Sequence, residues 1–269
     1  MYRTFDPDIR LQASHGDLAR EATVEIVDLL HRKPDAVIGL ATGSTQKPFY
    51  RELVRLHQDR HSSLSFACAR FVNLDEYVGL PRDSLQSFRA FMQEQFFRHV
   101  DADPKNIHIP DGNAVNLEKE CDRYERLIRV LGGIDLQTLG IGVNGHIGFC
   151  EPGSPFGGRT HIARLAEQTR RSNAGDFGGD WRNVPERALT MGLGTILEAR
   201  SLILLANGDH KKDAVRALLT APLSTTLPAT ALRLHPDLKV FVDWDAFPLA
   251  PEVARRLQAA SYAARHTKN

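Results

Sequence analysis

The stretch Leu139-Gly140-Ile141-Gly142-Val143-Asn144-Gly145-His146-Ile147-Gly148-Phe149-Cys150-Glu151-Pro152-Gly153 decides how this chain is read. A strand-like segment from Leu136 to Ile141, apolar but for Gln137 and Thr138, ends in glycines, and an amide, an imidazole and a carboxylate (Asn144, His146, Glu151) follow directly. A buried strand delivers polar groups in this way to a pocket at its C-terminal end, where open α/β sheets bind ligands. The stretch also holds a literal G-x-G-x-x-G, Gly140 to Gly145. A dinucleotide site of that form needs a helix to open on the glycines and aim its N-terminus at a pyrophosphate. Here they run into Phe149-Cys150-Glu151-Pro152-Gly153-Ser154-Pro155, which cannot start a long helix, so a nicotinamide site is set aside.

Outward from this strand the chain alternates helical and strand-like segments. Helical spacing of apolar residues predicts helices over 13–30, 49–57, 87–99, 117–131 and 211–219. Apolar runs predict strands over 36–41, 66–74, 136–141, 201–206 and 239–242. This alternation predicts an α/β fold: a doubly wound, mostly parallel, Rossmann-like sheet with helices on both faces. No Pro/Ser-rich linker divides residues 1–269, so one domain is expected. Residues 152–185 differ, being rich in Gly, Arg and Asn with weak periodicity outside Ala163–Arg171. A long irregular stretch beside a site is expected to be a lid, the alternative being a disordered insertion.

Bulk properties narrow the function classes. With 42% hydrophobic and 25% charged residues, the 269-residue chain has the balance of a soluble globular protein. A net charge of +1 offers no electrostatic footprint for nucleic acid or an anionic membrane. No apolar run approaches the ~20 residues of a spanning helix. The start, Met1-Tyr2-Arg3-Thr4-Phe5-Asp6-Pro7, lacks the apolar core of a signal peptide. Three scattered cysteines, Cys68, Cys121 and Cys150, suit neither a disulfide framework nor a zinc site, and a reducing cytoplasmic location fits them.

Four strand-to-loop junctions carry chemistry. Thr42-Gly43-Ser44-Thr45 lies between a strand and a helix, where exposed backbone N–H groups and hydroxyls suit an anion; it lacks P-loop spacing, and a plain helix cap is the alternative. Asp75, after Phe71-Val72-Asn73-Leu74, is placed to act as a general base, the alternative being a solvated loop acid. His146 and Glu151 face each other across a turn, where a carboxylate on one ring nitrogen fixes the tautomer and raises the basicity of the other. Lys211 follows Asn207-Gly208-Asp209-His210 at a further junction. Singly, each has a structural explanation. In a parallel sheet all four share one edge, and together they suit proton transfer on a phosphorylated small molecule without a cofactor. No H-x-x-x-H, H-E-x-x-H or G-x-S-x-G pattern competes.

These residues resemble the glucosamine-6-phosphate deaminase family. The matching pieces are Ala41–Thr45, Asn73–Pro81, Gly140–Gly153, Ala188-Leu189-Thr190-Met191-Gly192 and Leu232-Arg233-Leu234-His235-Pro236, in family order over nearly the whole chain. The resemblance implies conversion of an amino-sugar 6-phosphate and water to a ketose 6-phosphate and ammonia, a cytoplasmic role in amino-sugar metabolism. It implies Asp75 as the enolisation base, His146 as the acid–base that opens the ring, and Glu151 as its orienting partner. Asn144, where other members carry aspartate or asparagine, positions the histidine and sugar, because an amide exchanges no proton at neutral pH. Thr42, Gly43, Ser44, Thr45 and Lys211 would hold the phosphate. No metal or cofactor is implied, nor any nucleic-acid or membrane partner; a homo-oligomer is left open.

The chain departs from the family in the lid, where Asn173-Ala174-Gly175-Asp176-Phe177 lacks an arginine that contacts phosphate in many members. Arg170, Arg171 and Lys47 are the residues able to replace it. Relatives associated with galactosamine 6-phosphate also lack it, which makes that sugar the alternative substrate. His161 and Ala163 stand where regulated members carry the basic residues of an effector site. Two further alternatives are a 6-phosphogluconolactonase, which needs no C2 base, and a non-catalytic sugar-phosphate sensor.

Overall fold

A computed structural model of the chain describes residues 7–247; the reading of Met1–Asp6 as lacking a signal peptide, and the ends of the 1–269 domain, lie outside the described residues. Among the described residues seven strands form one parallel sheet: β1 (Asp8–Gln12), β2 (Val37–Leu40), β3 (Arg70–Asn73), β5 (Ile107–His108), β6 (Leu136–Leu139), β9 (Ser201–Ala206) and β10 (Leu238–Asp243). Their spatial order is β1-β10-β9-β6-β2-β3-β5. From β2 the chain adds β3 and β5 on one side, then β6, β9 and β10 on the other, so the winding reverses between β2 and β6. Loops at such a reversal splay apart and leave a crevice at the C-terminal ends of the strands.

Strand side chains alternate between two cores. On one face Ile38, Leu40, Phe71, Ile203, Leu205 and Phe241 pack against α1 (His15–Arg32), α2 (Lys47–Gln58) and α3 (Phe88–Gln95). On the other, Val37, Val72, Leu202, Leu204, Val240 and Val242 pack against α4 (Leu117–Val130), α6 (Leu193–Leu197) and α7 (Lys212–Thr220). Full burial of strands such as β2 and β9 on both faces is why they read as unbroken apolar runs. The doubly wound α/β expectation therefore matches the architecture.

Three elements were not legible as strands. β4 (Asp75–Tyr77), β7 (His161–Arg164) and β8 (Arg187–Thr190) form a separate antiparallel sheet in the order β4-β8-β7. It has its own small core, in which Tyr77, Phe149 and Phe177 pack with Phe88. Residues 152–185 thus contain regular structure: β7, α5 (Glu167–Asn173) and two short 3-10 turns. The expected 66–74 strand begins only at Arg70, since Phe66–Ala69 closes a turn. The expected 87–99 helix ends at Gln95, where Phe96 leaves helical geometry.

Candidate active site

The four junctions singled out in the sequence follow β2, β3, β6 and β9, all parallel neighbours, so they open on the same edge of the sheet. Thr42 and Gly43 lead from β2 into a 3-10 turn, Ser44–Gln46, and then α2. Gly43 and Ser44 are exposed, and Thr42 and Thr45 are half-buried. The Thr45 hydroxyl donates to Asn207 Oδ1 at 2.7 Å, and the Thr45 carbonyl meets His15 Nε2 at 3.0 Å. The first bond ties the loop after β2 to the loop after β9. Asp243, at the end of β10, braces that second loop by accepting the Gly208 N–H at 3.0 Å. Lys211 closes it, half-buried, its ammonium held below the usual lysine range by desolvation. Asn207, His15 and Asp243 escaped sequence reasoning; the likeness of Asn207-Gly208 to Thr42-Gly43, each a polar–glycine step before a 3-10 turn and helix, is the one signal that could have found the first.

Asp75 departs from its expected loop. It begins β4 and pairs in register with Thr190 of β8. The residue is 5% exposed, and its Oδ1 is buried without a hydrogen-bond partner. Burial, with the neighbouring Glu76 charge adding to it, pushes its proton affinity well above the usual carboxylate range. A Cβ on Gly148 (φ +56°) would stand 3.5 Å from Asp75 Oδ2 and 3.1 Å from Thr190 Oγ1, so a glycine lets the His146 turn approach Asp75.

The 144–151 turn is held from several sides. Asn144 Nδ2 donates to Glu151 Oε2 at 2.9 Å, and Asn144 Oδ1 accepts the His146 N–H at 3.2 Å. Glu151 Oε1 accepts the Ala166 N–H at 3.1 Å. His146 Nδ1 lies 3.7 Å from Glu151 Oε2 and 3.3 Å from Thr169 Oγ1. The ring packs over Gly142, where a Cβ would fall 2.2 Å from it. Burial outweighs the attraction of Glu151 and, with Lys211 adding to it, keeps the imidazole neutral below its usual range. Asn144, His146 and Glu151 thus form one hydrogen-bonded and electrostatic unit. Thr169 lies outside the quoted motifs, and no spacing linked it to His146.

Other residues noted in the sequence are committed elsewhere. Arg170 donates to the carbonyls of Val184 and Arg182 and stacks on Trp181. Arg171 pairs with Glu167 and meets the same ring. Lys47 starts α2 with its ammonium 5.8 Å from the Phe91 ring centre. Cys150 is buried, donates to the Met191 carbonyl at 3.2 Å, and has its thiol pushed up to about 12 by burial. No group of three or more His, Cys, Asp or Glu placed to hold a metal occurs among the described residues. Nor, among them, is any helix long and apolar enough to cross a membrane.

Comparison with known proteins follows the same lines. The family described as glucosamine-6-phosphate isomerases/6-phosphogluconolactonase matches residues 11–241. Glucosamine-6-phosphate deaminase 1 of Bacillus subtilis is 48% identical over 238 residues, covering 88% of this chain and 97% of its own. Glucosamine-6-phosphate deaminase 1 of Giardia intestinalis is 44% identical over 231 residues, 86% of either chain. A solved structure described as a monomeric glucosamine-6-phosphate deaminase superposes with a TM-score of 0.86 at 46% identity, covering 89% of this chain and 98% of that one. The 6-phosphogluconolactonase of Trypanosoma cruzi shares the fold with a TM-score of 0.73 but only 22% identity, covering 91% and 97%.

Proposed function

The chain belongs to the glucosamine-6-phosphate isomerase/6-phosphogluconolactonase family, and from that premise we propose that it is an amino-sugar-phosphate deaminase/isomerase acting on glucosamine 6-phosphate. The product pair is fructose 6-phosphate and ammonia. The observation that carries the deaminase over the lactonase is Asp75, a buried carboxylate free to take a proton. Lactone hydrolysis needs no base at C2; an aldose–ketose shift does.

In this reading the 42–45 loop and Lys211 hold the phosphate at the reversal of the sheet. His146 takes the proton of the anomeric hydroxyl on Nε2 and returns it to the ring oxygen, which opens the ring. Glu151 and Asn144 hold the imidazole in place. Asp75 removes the proton from C2 of the open aldehyde while the C1 oxygen takes up a proton from the C2 ammonium group, giving an enolamine, and Asp75 then returns its proton to C1. The resulting C2 imine adds water and expels ammonia. No step calls for a metal or cofactor. Residues 152–185 act as a lid over the crevice of a single domain, and the enzyme works in the cytoplasm. With Arg170 and Arg171 engaged at Trp181, the phosphate is held by the two loops rather than by a lid arginine.

Ammonia release from purified protein tests the proposal, with glucosamine 6-phosphate and galactosamine 6-phosphate assayed in parallel and 6-phosphogluconolactone as the third substrate. Faster turnover of the gluco sugar is expected, and lactonase activity alone would overturn the reading. A sedimentation measurement separates the homo-oligomer left open by sequence from a monomer like the one described for the solved deaminase.

A further inference from the structure

Thr169 touches the imidazole from outside the turn that carries it. Its hydroxyl oxygen lies 3.3 Å from His146 Nδ1, across 23 residues of sequence, and the residue is 2% exposed. Threonine and serine hydroxyls in helices commonly bond back to the preceding turn. Ser172 of α5 does so, donating to the Gln168 carbonyl at 3.0 Å. The Thr169 hydroxyl is turned to the imidazole.

The start of the same helix also reaches Glu151. Ala166, at the N-cap of α5, donates its N–H to Glu151 Oε1. One short element, displaced from the motif in sequence, therefore contacts both members of the acid–base pair. Glu151 Oε2, at 3.7 Å from Nδ1, is beyond hydrogen-bond reach, so Thr169 supplies the nearer contact. Of the two oxygens beside Nδ1, the Glu151 carboxylate can only accept, while the Thr169 hydroxyl can accept or donate. A carboxylate on that side favours a neutral ring with its proton on Nδ1 and its lone pair on Nε2, the tautomer a base needs toward a sugar hydroxyl.

We propose that Thr169 is a positioning residue for ring opening: its hydroxyl accepts the Nδ1 proton, fixes the tautomer and orientation of His146, and does so only while α5 is docked. The inference rests on the assignment of His146 as the ring-opening acid–base. During that step Nε2 takes the anomeric hydroxyl proton and passes it to the ring oxygen, while the Nδ1 proton stays in place. Lifting α5 removes the Thr169 hydroxyl and the Ala166 N–H together, so docking of the helix and assembly of the acid–base pair are one event.

Thr169→Val keeps the side-chain volume and removes the hydroxyl; Thr169→Ser keeps the hydroxyl. With glucosamine 6-phosphate, the valine variant is expected to lose roughly tenfold in kcat, the kinetic equivalent of one hydrogen bond, with KM changed less than about twofold. The serine variant is expected to recover most of the loss. Nitrogen chemical shifts of His146 in the free protein should report Nδ1–H in the wild type and the serine variant and a tautomer mixture in the valine variant. The charged groups facing this ring, Glu151 from its own turn and Lys211 from the β9 loop, are the same in all three proteins. An unchanged kcat and tautomer in Thr169→Val overturns the proposal, as does equal impairment of both variants, which marks a packing role. A wild type that releases no ammonia from either amino sugar defeats the parent reading instead, and the tautomer comparison then decides Thr169 alone.

Discussion

The corner where β3 passes into β4 and the turn from Asn144 to Glu151 treat a buried carboxylate in opposite ways. Asp75, at the corner, has an oxygen sealed from solvent with no donor. Glu151, at the turn, has each oxygen engaged, one by Asn144 and the other by the Ala166 N–H. The corner is not short of donors. Glu76, the next residue, accepts the N–H groups of Tyr77, Phe88 and Arg89 within 3.0 Å. Donors favour the ionised form of a carboxylate, whereas burial without them favours the protonated form. The bare group is thus suited to take a proton from carbon, and the bonded one to hold a neighbour still. In the proposed mechanism, proton abstraction and orientation are separated by hydrogen-bond supply, not by residue type.

The most severe way to break this comparison is Asp75→Asn. The amide is nearly isosteric and cannot take the C2 proton. Turnover should fall by about three orders of magnitude or more, within the range a general base supplies. With Asp75 as the proposed base its ionised form is required, so kcat/KM should fall as pH drops through the Asp75 pKa, and burial should place that limb above the usual carboxylate range. The stability effect has the opposite sign. A carboxyl whose folded pKa exceeds its unfolded value binds more protons when folded, so its contribution weakens as pH rises through the folded pKa. Asp75→Asn removes that loss. Melting at neutral pH should rise by about 2–4 °C, taking about 1 kcal/mol for relief of the unpartnered charge. A variant that is both inactive and less stable would contradict the reading of Asp75 as a strained base.

Parts of this arrangement were legible in the chain and parts were not. Leu136–Ile141 was read as a strand although Gln137 and Thr138, both fully buried in β6, interrupt its apolar residues, and the glycines after it marked a turn rather than a helix. The four junctions could be placed on one edge because parallel winding leaves no other arrangement. β4, β7 and β8 were hidden for the converse reason. Each is three or four residues long, and β7 (His161-Ile162-Ala163-Arg164) carries too few apolar residues to show a period. The burial of Asp75 depends on pairing with Thr190, far along the chain, and no local pattern encodes it. The contact of Thr169 with His146 was invisible for the same reason. The 152–185 segment read as irregular because its order comes from a small aromatic core around Tyr77 and Phe177, not from its own periodicity.

A milder test acts on the bonded side. Glu151→Gln keeps an oxygen for Asn144 or for Ala166 but removes the negative charge that favours the imidazolium. Burial already holds His146 below its usual pKa, and loss of Glu151 lowers it further. The histidine then accepts the anomeric proton less readily, and kcat should fall by about a hundredfold, at the low end of the acid–base range. The Glu151 variant should remain well above Asp75→Asn in turnover. If the two fell equally, abstraction and orientation would not be separable functions of the two carboxylates.

The smallest effect on turnover belongs to Glu76→Gln, although its effect on the fold is not small. Glu76 is as buried as Asp75, yet its oxygens accept three backbone N–H groups, two of them in the first turn of α3. A helix N-terminus favours a negative charge there, and the carboxylate supplies acceptors on both oxygens. Glutamine offers one carbonyl oxygen, while its NH2 faces a backbone donor. At least one N–H is left buried and unpaired, at a cost of about 1–3 kcal/mol. Melting should therefore drop by several degrees, at about 2–4 °C per kcal/mol for a chain of this size, while kcat stays within about twofold. Thermal melts and steady-state kinetics on the same preparation separate the two quantities. If kcat fell in step with stability, the corner would act as one unit, and the bare state of Asp75 would depend on its neighbour's charge. If stability held and kcat fell, Glu76 rather than Asp75 would be the group delivering the base.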